Sequence, residues 1–177
     1  GIMLASVLRT YANRFGVAVA QRTAIFTNND DGHKTARDLV EKGIDIAAVV
    51  DVRPDAPVAS EFEVLAGAQI VDSKGRLGLT QVTVKMADGS SRTLDCGALG
   101  MAGGWNPNVH LTCHQRGRPA WNENIAAFVP GENLPTGMTV AGAATGKMST
   151  AMALQTGAEA AKKALDLKVK HSHPVTR

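Results

Sequence analysis

The stretch Arg22–Arg53, RTAIFTNNDDGHKTARDLVEKGIDIAAVVDVR, constrains the fold more than any other part of the chain. Thr23–Thr27 reads as a short buried strand and His33–Lys42 as a helix buried through Ala36, Leu39 and Val40. Gly43 supplies the stop. Ile44–Val50 is apolar except for Asp45, the pattern of a strand covered on both faces in a parallel sheet. A strand, a helix and a parallel strand form a right-handed crossover, the unit from which dinucleotide-binding folds are built. The turn that should carry glycines carries Asn28, Asn29, Asp30 and Asp31 instead.

The remaining pattern extends this unit. Met3–Arg14 reads as a helix with Leu4, Val7, Leu8 and Tyr11 on one stripe, Ser60–Leu65 as a second short helix, and Ala68–Val71 as a third strand. At Val82, Val84 and Met86 the period changes to two; the turn at 87–90 and Arg92–Cys96 complete an antiparallel hairpin. Ala98–Ala102 is a further strand closed by Gly103 and Gly104. An irregular stretch follows to Thr136, then a last strand at Met138–Ala141, a glycine turn, and a long helix from Lys147 to Leu165. The expected fold is α/β: a Rossmann-like three-layer unit with a parallel sheet plus an antiparallel β-meander, of the two-dinucleotide-binding-domain flavoprotein type. Its expected division is a leading helix and linker (1–21), an inserted pyridine-nucleotide-type domain (22–104), a return segment completing a parent domain (105–170) and a tail (171–177).

Composition narrows the function classes. The chain has 177 residues, 44% hydrophobic, with four Phe, two Trp and one Tyr, which fits an aliphatic α/β core. No apolar run reaches membrane-span length and no signal peptide opens the chain, so a soluble cytoplasmic protein without a membrane partner is expected. Its start, GIMLASVLRT, reads as the middle of a helix, the expectation for an internal fragment. Cys96 and Cys113 make neither a disulfide framework nor a redox pair. The formal charge of +3 owes much to Lys162, Lys163, Lys168, Lys170 and Arg177, with no interleaved aromatics, so no nucleic-acid partner is expected.

The segments MLASVLRTYANRFGVA, AIFTNNDDGHKTARDL, IAAVVDVRPDA, GGWNPNVHL, GRPAWNENIAAFVPG and VAGAATG resemble the alpha subunit of heterotetrameric sarcosine oxidase. The similarity extends from Ile2 to about Leu167. The resemblance implies a flavoenzyme complex with beta, gamma and delta subunits. That complex oxidatively demethylates sarcosine to glycine, yielding hydrogen peroxide and formaldehyde, or methylene-tetrahydrofolate when folate is present. It implies NAD on the alpha subunit, FAD and FMN elsewhere in the complex rather than on this chain alone, and tetrahydrofolate in another part of the subunit. The glycine-rich ADP-binding motif of the family lies upstream of the matching region.

Two turns compete for a nucleotide. Glycines let backbone N–H groups meet a pyrophosphate at a helix N-terminus. At the first turn, Asp30 and Asp31 would each cost such an anion on the order of 1 kcal/mol at roughly 4 Å in water. Asn and Asp there are ordinary helix caps. A calcium loop through Asn29, Asp31, Gly32 and Asp38 fails at its first ligand position, which is Thr27. Asp51 has the offset of a ribose-binding acid, but without the glycine turn the better reading is pairing with Arg53 or capping the next turn. The second turn, VAGAATGKMST, joins a strand to a long helix through small residues. Flavoproteins of this plan usually have Gly-Asp there, with the Asp on the flavin ribityl chain; this chain has Ala143. By resemblance, NAD contact is expected at Gly142, Ala143, Met148 and Thr150, the competing reading being plain helix–strand packing with Thr150 bonded within its helix.

Other residues carry less. Trp105 reads as a packing anchor. His110, Cys113 and His114 offer three donors without a fourth, so no metal is expected. His171 and His173 fall in the tail. No catalytic residues stand out. A reductase fragment with NAD(P)H near Asn28 and Asp51 and FAD near Gly142 is the alternative. An interaction domain of a related amine or opine oxidase is a third reading.

Overall fold

The computed structural model describes residues 1–125 and 127–165. The tail assigned to 171–177, with His171 and His173, lies outside them. The chain divides into two compact units, Gly1–Gly104 and the remainder from Trp105.

The first unit has three layers. Its centre is a five-stranded parallel sheet in the order β1 (Ile2–Leu4), β8 (Ala98–Ala102), β2 (Arg22–Thr27), β3 (Asp45–Asp51), β4 (Val64–Ala66). Helices α1 (Ala5–Phe15) and α2 (Asp30–Glu41) cover one face, burying Ala5, Leu8, Ala36 and Leu39 against Ile25 and Val49. The antiparallel meander β5 (Gln69–Lys74), β6 (Gln81–Lys85) and β7 (Ser91–Asp95) covers the other, with Val82, Val84 and Leu94 packed on Ala24, Ala48, Val50 and Leu99. Small residues at the sheet positions let the meander approach closely. Cys96 is buried in this second layer, and burial pushes its thiol pKa up, which leaves it protonated and unreactive.

The crossover strands, the hairpin and β8 follow the sequence pattern. Four expectations need correction. Ile2–Leu4 is a strand, and the buried stripe of α1 is Ala5, Leu8 and Ala12, while Leu4 and Tyr11 are exposed. Residues 60–65 are not helical: Val64–Ala66 pairs with Val49–Asp51 as the edge strand β4, so sheet pairing overrides local propensity. The strand read at Ala68–Val71 belongs to the meander as β5. Helix α2 starts at Asp30, because the Asn29 side chain accepts the Asp31 N–H and caps it. Gly43 ends that helix region with φ +76°.

Gly32 sets how closely α2 lies on β2. A Cβ there would stand 2.4 Å from the Cβ and Oγ1 of Thr27. Gly32→Ala is therefore expected to destabilise the chain by about 1–3 kcal/mol through overpacking. Urea unfolding checks this, and an unchanged midpoint would contradict it.

The second unit holds a 3-10 segment at His110–Arg116, the hairpin β9 (Ala120–Asn122) and β10 (Ala127–Val129), a 3-10 turn at Gly142–Thr145 and helix α3 (Thr150–Leu165). Trp121 and Phe128 stack edge-on across the hairpin at 5.1 Å. Met138–Ala141 pairs with no strand among the described residues, and α3 starts at Thr150 rather than Lys147. Helix α3 buries no residue, and its apolar stripe of Ala151, Leu154, Ala158, Ala161 and Leu165 is exposed. Trp105, read as a packing anchor, is 68% exposed. No helix among them is long and apolar enough to cross a membrane.

Candidate functional site

In an open parallel sheet, ligands bind outside the carboxyl ends of the strands where the strand order reverses. In the first unit that point lies between β2 and β8, because the chain leaves β2 toward β3 and β4 and returns to its other side as β8. Thr27, Asp51 and Ala102 end β2, β3 and β8.

These ends are occupied by a side-chain network. The Thr27 hydroxyl lies 2.8 Å from the Asn29 carbonyl and 3.1 Å from the Ala102 carbonyl. Asn29 Nδ2 donates to the Ala102 carbonyl at 3.0 Å, and its Oδ1 accepts the Asp31 N–H at 2.9 Å. Asp51 is fully buried; its Oδ1 accepts the Arg53 N–H at 2.9 Å, and its Oδ2 meets Arg53 Nη2 at 2.8 Å and His33 Nε2 at 2.7 Å. Arg53 Nη2 also donates to Asp30 at 2.9 Å. His33 is buried with Nδ1 unpartnered. A proton on that nitrogen would be a buried donor without an acceptor, so Nε2 is the nitrogen that donates to Asp51. The Asp51–Arg53 pairing was readable in the sequence; the part of His33 was not, because its partner lies 18 residues on across the crossover.

Burial pushes the Asp51 carboxyl pKa up. The side-chain and backbone hydrogen bonds from Arg53, the bond from His33 and the Arg53 charge outweigh this and hold it below the ordinary carboxylate value. The Asp51 bond in turn raises the pKa of the Arg53 guanidinium. A depressed folded-state pKa means that Asp51 stabilises the fold fully above its unfolded value, about 3.9, and loses that contribution as pH falls through the folded value. Acid titration of unfolding free energy should therefore show a loss below about pH 4 that Asp51→Asn removes. An identical acid limb in the variant would refute this.

The second turn differs in charge and shape. Gly142 and Ala143 lie in the 3-10 turn, with Gly142 at φ +64°; Gly146 closes it at φ +83°. Met148 lies in the connection and Thr150 is the first residue of α3. Ala143, Met148 and Thr150 are exposed, whereas Gly142 is buried. The first turn of α3 contains no acidic residue, in contrast to Asp30 and Asp31 in α2, and Lys147 is exposed beside it. Not every amide expected to point outward is free. The Gly142 N–H donates to Thr156 Oγ1 at 2.8 Å, and the Gly146 and Lys147 N–H groups bond back to Ala143 and Gly142 carbonyls. Thr156, with its hydroxyl also donating to the Met152 carbonyl at 2.8 Å, braces the turn on the helix; only a helical hydroxyl in the sequence hinted at this. An open groove of about 380 Å³ flanks α3, lined by Met138, Val140, Thr145, Thr156, Glu159 and Lys163. It includes none of the four expected contact residues.

The remaining readings resolve simply. The calcium loop does not exist, because residues 30–41 are continuous helix and Asp38 pairs with Arg9. His110 Nδ1 lies 2.7 Å from Asn108 Oδ1, and the Cys113 thiol donates to the Val109 carbonyl. No three His, Cys, Asp or Glu side chains converge on a metal position among the described residues.

The three-layer unit with its switch point is the fold of FAD- and NAD-dependent oxidoreductases. Lactococcus lactis thioredoxin reductase matches with a TM-score of 0.65 at 13% identity, over 94% of this chain and 57% of that one. L-proline dehydrogenase from P. horikoshii matches at 0.54 and 16% identity, over 94% and 33%. A FAD-dependent pyridine nucleotide-disulphide oxidoreductase from Desulfovibrio vulgaris matches at 0.54 and 17% identity, over 94% and 48%. These likenesses concern the fold alone. No protein-family model matches the chain. Sequence similarity is more specific. Sarcosine oxidase subunit alpha of Rhizobium meliloti strain 1021 is 38% identical over 160 residues, and that of Corynebacterium sp. strain U-96 is 33% identical over 171. Each match covers 89% of this chain, which spans only 16% and 18% of those relatives. Over the part it shares with them, the chain belongs to the sarcosine oxidase alpha-subunit family.

Proposed function

We propose that the chain is a cofactor-binding and scaffold region of a sarcosine oxidase alpha subunit, with no catalytic residues of its own. The assembled complex, with beta, gamma and delta subunits, would demethylate sarcosine oxidatively to glycine, releasing hydrogen peroxide and formaldehyde or passing the carbon to tetrahydrofolate. In this reading the inserted domain assigned to 22–104 shares one compact unit with β1 and α1, and 105–170 complete the parent domain. Strands of that parent domain would pair with Met138–Ala141 and cover the apolar stripe of α3.

NAD would be held at the second turn by Gly142, Ala143, Met148 and Thr150. The observation that carries this assignment is the contrast between the two helix starts. A diphosphate at α2 meets Asp30 and Asp31, whereas at α3 it meets no acid, an exposed Ala143 and the positive end of the helix dipole. The exposed Ala143 fits such a group by leaving room for backbone approach, while the buried positive-φ Gly142, its amide bonded to Thr156, shapes the turn. FAD and FMN belong to other parts of the complex. The fold likeness to thioredoxin reductase supports a reductase as the second reading, but that reading needs Asp51 for a ribose, and Arg53 and His33 already hold Asp51.

Calorimetric titration of the 177-residue chain with NAD tests how much of the site it contains. Weak or absent binding is expected, since the upstream ADP-binding motif supplies the rest of the pocket. Sub-micromolar affinity would overturn this division of the site.

A further inference from the structure

The first unit has the framework of a dinucleotide site with protein groups in the ligand's places. The spacing of the glycine fingerprint, G-x-G-x-x-G, falls on Thr27, Asn29 and Gly32. The third position keeps its glycine for the packing reason that the fingerprint requires, because a Cβ would strike Thr27. The first two positions, where side chains would bar a pyrophosphate, carry Thr27 and Asn29. Both side chains turn into the crevice and bond across it to the Ala102 carbonyl. The Asp31 amide, at the helix N-terminus where a phosphate oxygen would accept, already donates to Asn29 Oδ1. Gly104 lies against the same side chain: a Cβ there would stand 3.1 Å from Asn29 Nδ2. At the end of β3, the acid that would take ribose hydroxyls has both oxygens bonded and no exposed surface.

The geometry points to a dinucleotide crevice sealed from within: Asn29 stands in for the diphosphate at the start of α2, and Arg53 stands in for the ribose hydroxyls at Asp51. The first unit is then a closed scaffold that takes up no NAD, NADP or FAD. This deepens the function proposed above, because it removes the competing dock for the nucleotide.

The test is an amide NMR titration of the isotope-labelled chain with NAD and, separately, NADPH at millimolar concentration. The resonances of Asn28–Gly32 and Arg53 are expected not to move. In Asn29→Gly, hydrogen exchange of the Asp31 amide should accelerate roughly tenfold, the loss of one helix-capping bond. A saturable shift at Asn28–Gly32 in the unmodified chain overturns the seal, and so does unchanged Asp31 exchange in a folded variant. The titration of the unmodified chain decides the matter even where the variant does not fold. Shifts at Ala143–Thr150 report on the other turn, so failure of the seal and failure of the NAD assignment register on different resonances.

Discussion

Asp51→Ala is expected to cost the chain about 3 kcal/mol of folding free energy, at the lower end for breaking a buried ion pair because Arg53 remains one-third exposed. The carboxylate is the point where three parts of the first unit meet: His33 from α2, the end of β3, and the turn that starts at Arg53. Its removal leaves the His33 N–H without an acceptor inside the protein and the guanidinium with only Asp30. Asp51→Asn keeps the shape and one acceptor oxygen, so its loss should be smaller. Urea unfolding followed by far-ultraviolet circular dichroism measures both. If alanine cost under about 1 kcal/mol, the ordinary loss for an exposed pair, the network would not be the anchor described.

The second large effect concerns Ala143. In a full-length alpha subunit carrying this sequence, Ala143→Arg should lower the NAD content of the purified protein at least about tenfold, which requires a loss of only 1.4 kcal/mol. The side chain would occupy the approach to the start of α3, where an exposed methyl now leaves room. Ala143→Asp should act in the same direction by placing a carboxylate against the diphosphate. Because the two variants differ in charge sign, agreement between them identifies close contact rather than distant electrostatics. Solubility should survive, since nothing packs over Ala143 among the described residues. Full NAD stoichiometry in both variants would remove the turn from the site.

The parts of the fold legible in the sequence were those with several turns or strand repeats to read. Helix α2 has enough length for its buried stripe, β3 is apolar between Asp45 and Asp51, and Val82 and Val84 alternate with solvated neighbours. The strands β1, β4, β9 and β10 have three residues each, too few for any period to declare itself. β1 and β4 also take partners outside their own stretch, β8 and β3, which neighbouring letters do not show, and this is why residues 60–65 read as helix. The sites divide in the same way. Asn29 as a cap and Asp51 with Arg53 are local relations, visible in neighbouring letters. His33 and Thr156 act through space, on groups that only the crossover or the helix turn brings near. The terminal strand expected at Met138–Ala141 lacks a neighbour among the described residues, and alternation alone supplies no partner.

The pairing of β1 with β8 has a consequence for synthesis. Ile2 lies opposite Leu99, and the Leu99 N–H donates to the Gly1 carbonyl. Residues 2–4 must therefore wait for nearly a hundred more before they find their place beside β8. A ribosome paused between the meander and Ala98 would hold a sheet missing both strands on that side of β2. That interval is where a chaperone that grips short aliphatic segments should be found bound.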